Sequence, residues 1–367
     1  MTDIRLERLA KTLVNYSTEV KPGDWVGILG DTTALPALRL VYENVVAAGG
    51  NPVLLMSDEY MDRYLLKKGS DEQLAWLDPA RTLYYEQADV YIRLGSTTNT
   101  RAMTNIPAKR VQALRSAQRH WLDTRLTRSA EGSMRWVGTI VPNEGHAQEA
   151  NMSLEEYEDF VYGACFCDHE DPAAEWRKLS AMQQQKVDWL VGKKEVICKG
   201  PNVDLKLSIE GRTFINSDGH RNMPSGEIFT GPVEESVNGW VRFSYPSVVG
   251  GRAVSGIELR FEDGKVVDAS AEQNEELLFA QLDTDAGSRY LGEFAIGTNF
   301  GIQQFTGSIL FDEKIGGTIH MAIGMGYPET GSKNRSAVHW DMICDMRVDS
   351  EITVDGESFY RNGQFVV

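Results

Sequence analysis

The chain has 367 residues, 42% of them hydrophobic and 25% charged, which is the composition of a globular protein large enough for two domains. Its 53 acidic and 37 basic residues give a formal net charge of −16, which argues against nucleic acid or an anionic lipid surface as a partner. No segment approaches the run of about 18 apolar residues that crosses a membrane, and the N-terminus lacks the basic and apolar regions of a signal peptide. We therefore expect a cytoplasmic protein.

The first half of the sequence alternates strand and helix patterns. Residues 24–30 are a short apolar run that ends in glycine, residues 34–50 repeat apolar residues at helical spacing, and residues 51–56 return to a strand pattern. The later elements are predicted helices near 71–77, across 107–118, after the capping box at 153–156 and over 173–194, and predicted strands at 88–96 and 135–142. This alternation predicts a parallel sheet covered by helices.

After about residue 190 the apolar period changes from that of a helix to that of a strand. Alternating segments separated by glycine and Asp-Gly turns occupy residues 203–211, 240–251, 255–272, 317–327 and 346–356. Residues 261–267, FEDGKVV, have the pattern of a β-hairpin. We therefore predict an α/β N-terminal domain with a parallel sheet over residues 1–185, and a β-rich antiparallel domain over residues 186–367.

Several polar residues interrupt the apolar pattern of the second domain. Glu227 lies between a Pro-Ser-Gly turn and an apolar pair, Glu293 lies among leucine, phenylalanine and isoleucine, and His320 lies inside an apolar strand with Tyr327 just beyond it. A carboxylate among apolar neighbours is costly unless a cation pairs with it. Each position also has a structural interpretation, for instance an ion pair between Glu293 and Arg289.

The segment SAVHWDMICD, residues 336–345, adds His339 and Asp341 at alternate positions of a strand. Side chains alternate between the faces of a strand, so these two point the same way while Val338, Trp340 and Met342 point the other way. An isolated His-x-Asp pair is more often a hydrogen-bonded core pair than a metal site. The carboxylates and the second histidine that precede this pair favour its interpretation as part of a metal site.

Three carboxylates and two imidazoles exceed the three protein ligands of a typical catalytic zinc. They suit two divalent ions about 3.5–4 Å apart, bridged by a carboxylate and a water molecule. The sequence has no G-x-S-x-G, H-E-x-x-H or P-loop motif that would indicate another chemistry.

Four segments, in this order, resemble the signature segments of the M29 metallo-aminopeptidases, the aminopeptidase T group: NMPSGEIFTGPVEESVNG, YLGEFAIGTN, LFDEKIGGTIHMAIGMGYPE and VHWDMICD. The resemblance extends over nearly the whole chain and implies a metal-bearing β-rich C-terminal domain and a homodimer. It also implies a dinuclear metal site whose ligands fall on Glu227, Glu293, His320, Tyr327, His339 and Asp341.

The hypothesis that follows is a metal-dependent aminopeptidase that removes the N-terminal amino acid from short peptides with a free N-terminus. Two divalent ions, drawn from zinc, cobalt, manganese and magnesium, would activate a shared water molecule. Glu293 is the expected bridging ligand, and Tyr327 would bind a metal ion or donate a hydrogen bond to the developing oxyanion.

Two alternatives remain at this stage. His320, His339 and Asp341 alone make the two-histidine, one-carboxylate set of a mononuclear non-haem iron dioxygenase that cleaves aromatic rings. Glu227 and Glu293 argue against it, because a single iron needs neither. The other alternative is a metal-stabilised binding protein without catalysis.

Overall fold

The computed structural model describes residues 3–249 and 251–367 and divides into two compact units. The first unit contains the residues up to Glu175 together with Gly219–Pro224, and the second contains Trp176–Asp218 and Ser225–Val367. The domain limits predicted from the sequence, 1–185 and 186–367, stay a prediction.

The helices, in chain order, are α1 (Ile4–Thr12), α2 (Leu35–Ala47), α3 (Glu59–Lys68), α4 (Asp71–Ala75), α5 (Pro79–Gln87), α6 (Ala108–Ala130), α7 (Glu144–Glu149), α8 (Leu154–Ala164), α9 (Pro172–Leu190), α10 (Glu275–Leu282) and α11 (Ile309–Asp312). The strands are β1 (Trp25–Asp31), β2 (Asn51–Ser57), β3 (Val90–Gly95), β4 (Arg135–Ile140), β5 (Glu195–Gly200), β6 (Val203–Ser208), β7 (Ile215–Ser217), β8 (Asn222–Met223), β9 (Glu227–Thr230), β10 (Asn238–Arg242), β11 (Ser247–Val249), β12 (Arg252–Val254), β13 (Glu258–Glu262), β14 (Lys265–Ser270), β15 (Leu291–Gly297), β16 (Thr318–Gly324), β17 (His339–Asp345), β18 (Glu351–Val354), β19 (Glu357–Arg361) and β20 (Gln364–Phe365).

The first unit is built on a parallel sheet of order β2-β1-β3-β4-β8. Helix α2 connects β1 to β2, and its buried residues, such as Leu38 and Val41, lie on one side of the helix. Ser153 and Glu156 form the predicted capping box at the start of α8. The α/β architecture with a parallel sheet is therefore confirmed for this part of the chain.

The described residues of the second unit form three antiparallel sheets. The largest has the order β14-β13-β10-β6-β5-β18-β19-β20, a second consists of β11 and β12, and the third has the order β17-β16-β15-β9-β7. The hairpin predicted at 261–267 joins β13 to β14 with Asp263 and Gly264 at its turn, both at positive φ. The predicted change to an antiparallel, β-rich architecture is confirmed.

Among the helix ends that differ from the sequence-based expectation, those of α6 and α9 have a clear physical reason. Helix α6 continues to Ala130 because no proline or glycine interrupts the sequence before Gly132, which takes a positive φ of 73°. Helix α9 ends at Leu190, and Gly192 then takes a positive φ of 79°, which only glycine adopts without strain. None of the helices formed by the described residues combines the length and the hydrophobicity of a transmembrane span.

Candidate metal centre

The five-stranded antiparallel sheet carries the predicted ligands of its strands on a single face. Glu293 in β15 pairs with Ala322 in β16, and Asp341 in β17 pairs with the same alanine. His320 is two residues from Ala322, so strand alternation brings it to the same face. The same alternation holds for the remaining two strand ligands, Glu227 in β9 and His339 in β17.

Small residues separate the ligands on this face. Ala322 lies between Glu293 and Asp341, and Ala295 lies beside His320. The opposite face is apolar and belongs to the core of this unit, with Ile228, Phe294, Ile319, Met321, Trp340 and Met342 among its members. Because an alanine side chain ends at its Cβ, Ala322 and Ala295 leave room above the sheet for the longer polar side chains beside them.

A β-bulge sets the direction of Glu293. The pairing of β15 with β16 shifts between Leu291 and Glu293, which leaves Gly292 as the extra residue. A Cβ at Gly292 would lie 2.3 Å from the carbonyl oxygen of Met325 and 2.5 Å from that of Gly324. The close approach of the two strands at this point therefore requires glycine.

Carboxylate and imidazole atoms meet at the centre of this face. Nε2 of His320 lies 3.3 Å from Oε2 of Glu227 and 3.8 Å from Oε1 of Glu293. Nε2 of His339 lies 3.2 Å from Oε2 of Glu293 and 3.6 Å from Oδ2 of Asp341. Glu293 therefore contacts both imidazoles, one with each of its oxygens.

Tyr327 lies at the edge of this group. Its hydroxyl is 3.5 Å from Nε2 of His339, and its ring packs edge-on against Phe229 at a centroid distance of 5.5 Å. Arg289, which the sequence left open as a partner of Glu293, instead forms an ion pair with Asp283 at 2.6 Å. The structure thus brings the six predicted ligands together.

A backbone carbonyl fixes the orientation of the His339 ring. Nδ1 of His339 lies 2.7 Å from the carbonyl oxygen of Met325, which can only accept a hydrogen bond. In a neutral imidazole the proton is therefore assigned to Nδ1, and Nε2 presents a lone pair to Glu293 and Asp341. This is the tautomer that binds a metal ion through Nε2.

The imidazoles hold their protons strongly when no ion is present. Burial alone lowers the pKa of His339, but the carboxylates of Asp341 and Glu293 raise it to about 10. Burial likewise lowers the pKa of His320, while Glu293 and Glu227 raise it to about 9. The counterpart is Glu293, where burial is outweighed by hydrogen bonds to both imidazoles, which lower its pKa to about 2.

The pKa values of the other two buried carboxyl groups on the strands, Glu227 and Asp341, are raised. Burial raises the pKa of Glu227 to about 7, although the ammonium of Lys314 opposes it. Burial also raises the pKa of Asp341 to about 6, against the charge of His339. At neutral pH the metal-free cluster therefore carries protons on both imidazoles and on part of the Glu227 population. These protons lie at the atoms that would bind cations.

Glu313 is a further acidic side chain at this site, outside the ligand set predicted from the sequence. It follows α11, in the segment LFDEK that precedes β16, and its side chain is 15% exposed. One of its oxygens lies within 4.8 Å of ligand atoms of His320 and Asp341. A run of charged residues at a helix end is typical of a solvated surface, so only the interruption of an apolar segment could have pointed to it.

The donor set fits divalent metal ions. Within the part of the chain that the structure describes, two groups have their ligand atoms within 4.8 Å of one another: Glu293, His339 and Asp341 in one, and Glu313, His320 and Asp341 in the other. Among the buried atoms of the described residues, Oε2 of Glu227, Nδ1 of His320 and Oδ1 of Asp341 have no hydrogen-bond partner. Buried carboxylate oxygens without partners are costly, and a bound cation would satisfy them.

A buried glutamine supports Glu227 from the backbone side. Nε2 of Gln183, in α9, donates to the carbonyl oxygens of Glu227 at 3.2 Å and of Ser217 at 3.0 Å. Its Oε1 accepts a hydrogen bond of 2.6 Å from the hydroxyl of Thr298. This amide therefore joins the ends of three strands beside the site, and it was also not selected from the sequence.

Known proteins resemble this chain over nearly its whole length. A family model described as thermophilic metalloprotease (M29) matches residues 2–365. Aminopeptidase T from Thermus thermophilus is 28% identical over 98% of this chain and 95% of that protein, and aminopeptidase AmpS from Bacillus subtilis is 26% identical over 98% of both.

Two solved structures also resemble this fold. Wild-type AmpT from Thermus thermophilus matches with a TM-score of 0.86 and 26% identity over 99% of both chains. A 2,5-dihydroxypyridine dioxygenase from Pseudomonas putida KT2440 matches with a TM-score of 0.60 and 15% identity over 100% of this chain and 99% of that one. At that identity, the second likeness concerns the fold alone.

Proposed function

Because the chain belongs to the M29 family of metalloproteases, we propose that it removes N-terminal amino acids from short peptides at a centre of two divalent metal ions. The family and its named relatives support a metal-dependent aminopeptidase, a hydrolase that acts on peptide bonds. The number of ions, the ligands and the choice of short peptides are the parts that we propose.

The single observation that carries the two-ion proposal is the position of Asp341. It belongs to both three-residue groups, one with Glu293 and His339 and the other with Glu313 and His320. Two groups that share one carboxylate provide two neighbouring cation positions, which is the arrangement of dinuclear hydrolases.

We assign roles to the ligands on this basis. Glu293, Asp341 and His339 would hold one ion, and His320, Glu313 and Glu227 would hold the other, with Tyr327 at the edge of the first position. Glu293 and Asp341 both reach across the two positions, so Asp341 joins Glu293 as a candidate for the bridging carboxylate. Zinc, cobalt, manganese and magnesium remain the candidate metals.

When bound, such a pair of ions lowers the pKa of water and polarises a carbonyl group. The protein supplies what surrounds that chemistry. Burial raises the pKa of Tyr327 well above its ordinary value, so its hydroxyl keeps its proton and can donate a hydrogen bond to an oxyanion. The Met325 carbonyl fixes the ring of His339, so this imidazole is already oriented to present Nε2 to an ion.

The dioxygenase alternative is not favoured. The family model that spans the chain is that of metalloproteases, and the likeness to a dioxygenase structure is one of fold. A single iron bound by His320, His339 and Asp341 would leave Glu227 and Glu293 buried without need.

The assembly and location also belong to the proposal. We propose a homodimer, as the resemblance to the aminopeptidase T group implies, and a cytoplasmic location. Light scattering of the purified protein tests the first.

One experiment tests the main proposal. Purified protein is analysed for metal content and assayed on a leucine reporter before and after chelation, with each candidate ion added back. We expect two ions per chain, loss of cleavage on chelation and recovery on reloading. One iron with uptake of oxygen would support the dioxygenase instead, and metal binding without cleavage would support the non-catalytic alternative.

The free N-terminus is tested with matched substrates. We expect a short peptide to be cleaved with a kcat/KM at least about a hundredfold above that of its N-acetyl form. Acetylation removes the basic lone pair of the amine and adds bulk where an aminopeptidase site should end. Equal values of kcat/KM for the two peptides would contradict exopeptidase action even with both ions present.

A further inference from the structure

A buried lysine lies beside the candidate metal centre. Lys314 follows Glu313, and its side chain is 0% exposed. Its Nζ forms an ion pair with Oε1 of Glu313 and lies 3.7 Å from Oε1 of Glu227. A lysine without contact to water is tolerated only where such carboxylates neutralise it, so its position is tied to theirs.

The two oxygens of Glu227 face different partners. Oε1 lies on the side of Lys314, whereas Oε2 lies 3.3 Å from Nε2 of His320 and has no hydrogen-bond partner. The ammonium group therefore contacts the far side of the carboxylate whose other oxygen points to the proposed ion position. The same ammonium group also pairs with Glu313, so one buried cation lies between two carboxylates.

We propose that Lys314 is a built-in counter-cation of the metal centre, which stabilises the metal-free form and thereby weakens metal binding on the His320 side. This inference rests on the proposed two-ion function. It concerns a residue that coordinates nothing itself, so Lys314 is a positioning residue that acts through Glu227 and Glu313.

The sign of the effect follows from linkage between the charges. In the metal-free protein the ammonium attracts the carboxylates of Glu227 and Glu313, in addition to the attraction between Glu227 and the His320 imidazole. In the loaded protein it still attracts them, but it also repels a divalent ion bound to the same carboxylate. A charge that stabilises the free form more than the loaded form lowers the affinity for the ion. The ion on this side should therefore exchange more readily than it would without Lys314.

The test is Lys314→Met, which keeps the length and apolar stem of the side chain and removes its charge. Cobalt and zinc dissociation constants are measured by chelator competition, and melting temperatures are measured with and without metal. We expect at least one dissociation constant to fall by about tenfold or more, and the metal-free melting temperature to fall more than the loaded one.

Lys206→Met is the matched control. Lys206 lies in β6 with a side chain 57% exposed and pairs with Glu195 at 2.5 Å. The same substitution there removes an exposed ion pair, which contributes little to stability. We expect the control to leave the metal dissociation constants unchanged.

The results that would overturn the inference are distinct from those that would overturn the function. A dissociation constant that is unchanged or higher in Lys314→Met shows that Lys314 only fills space or supports the ligands. If metal-free Lys314→Met does not fold, refolding on addition of zinc supports the inference, and failure to fold with zinc contradicts it. Lys314→Gln, which keeps a hydrogen-bond donor without the charge, should shift the dissociation constant the same way. Wild-type protein that binds no divalent ion, in contrast, would remove the proposed function itself.

Discussion

At the scale of single residues, the centre combines groups whose proton affinities are moved in opposite directions. Glu293 is held ionised by two imidazoles, and those imidazoles are held protonated by carboxylates. In the metal-free site, positive imidazoles and negative carboxylates therefore neutralise one another, and protons occupy the atoms that would bind metal ions. Such a cluster can fold without metal and still bind it, provided that the protons are released.

Glu293→Gln tests the central position of that cluster. We expect metal content to fall to one ion or none per chain and kcat/KM to fall by at least about a hundredfold, because an amide cannot replace a carboxylate that contacts both imidazoles. The melting temperature of the metal-free variant should stay close to that of the metal-free wild-type protein. Glu262→Gln, at an exposed strand position, serves as the control. Normal metal content in Glu293→Gln would remove this residue from the ligand set.

At the scale of the secondary-structure elements, the site depends on strand register. The row that pairs Glu293 and Asp341 with Ala322 aligns ligands of β15 and β17, and His320 in β16 lies two residues from Ala322 on the same face. A shift by one residue would move each ligand into the apolar core on the other face. The bulge at Gly292 is the irregular point of this register, and it directly precedes a ligand.

Gly292→Ala should disturb this register without changing a ligand. The added methyl group would lie within 2.3 Å of a backbone carbonyl oxygen, so β15 and β16 must separate locally. We expect a loss of about 1–3 kcal/mol in the free energy of unfolding, together with weaker metal binding. Gly138→Ala, in β4, is the matched control, because a Cβ there would have its nearest neighbour at 3.9 Å. Urea titration and metal analysis of the two variants measure the difference.

The sequence predicts the elements better than their contacts. The βαβ pattern, the change of period near residue 190 and the 261–267 hairpin are local signals, and the structure confirms the architecture that they indicate. The six ligands were found through short motifs on strands and through a family resemblance. Gln183 lies near the site only because distant segments pack together, and its sequence surroundings are those of an ordinary helix residue. Glu313 and Lys314 lie shortly before β16 in the segment LFDEK, whose charged residues at a helix end are typical of a solvated surface.

At the scale of the whole molecule, the shifted pKa values couple stability to pH. The pKa of His339 is about 10 in the folded protein, against an ordinary 6.5. Protonation of His339 therefore stabilises the metal-free fold fully below pH 6.5, and this contribution is lost as the pH rises through about 10. Glu227, with a folded pKa of about 7, acts in the same direction at lower pH. The lowered pKa of Glu293 acts in the opposite direction, but only below its ordinary value of 4.5.

We therefore expect the metal-free protein to lose thermal stability as the pH rises from about 6 to about 9. Metal ions bind deprotonated imidazoles, so their affinity increases over the same interval. The difference in melting temperature between loaded and chelated protein should widen with pH. Thermal unfolding at several pH values, with and without chelator, measures it, and a difference that stays constant or narrows would contradict the coupling.

The order of the ligand-bearing sheet, β17-β16-β15-β9-β7, also has a kinetic consequence. Strand β9 ends at Thr230 and pairs with β15, which begins only at Leu291, after a long intervening segment. Closing so long a loop costs chain entropy before the contacts between the strands can offset that cost, so this pairing should form late in folding. Ions meet a complete ligand set only after that step. Added zinc should therefore slow unfolding of the finished protein while leaving the rate of refolding almost unchanged.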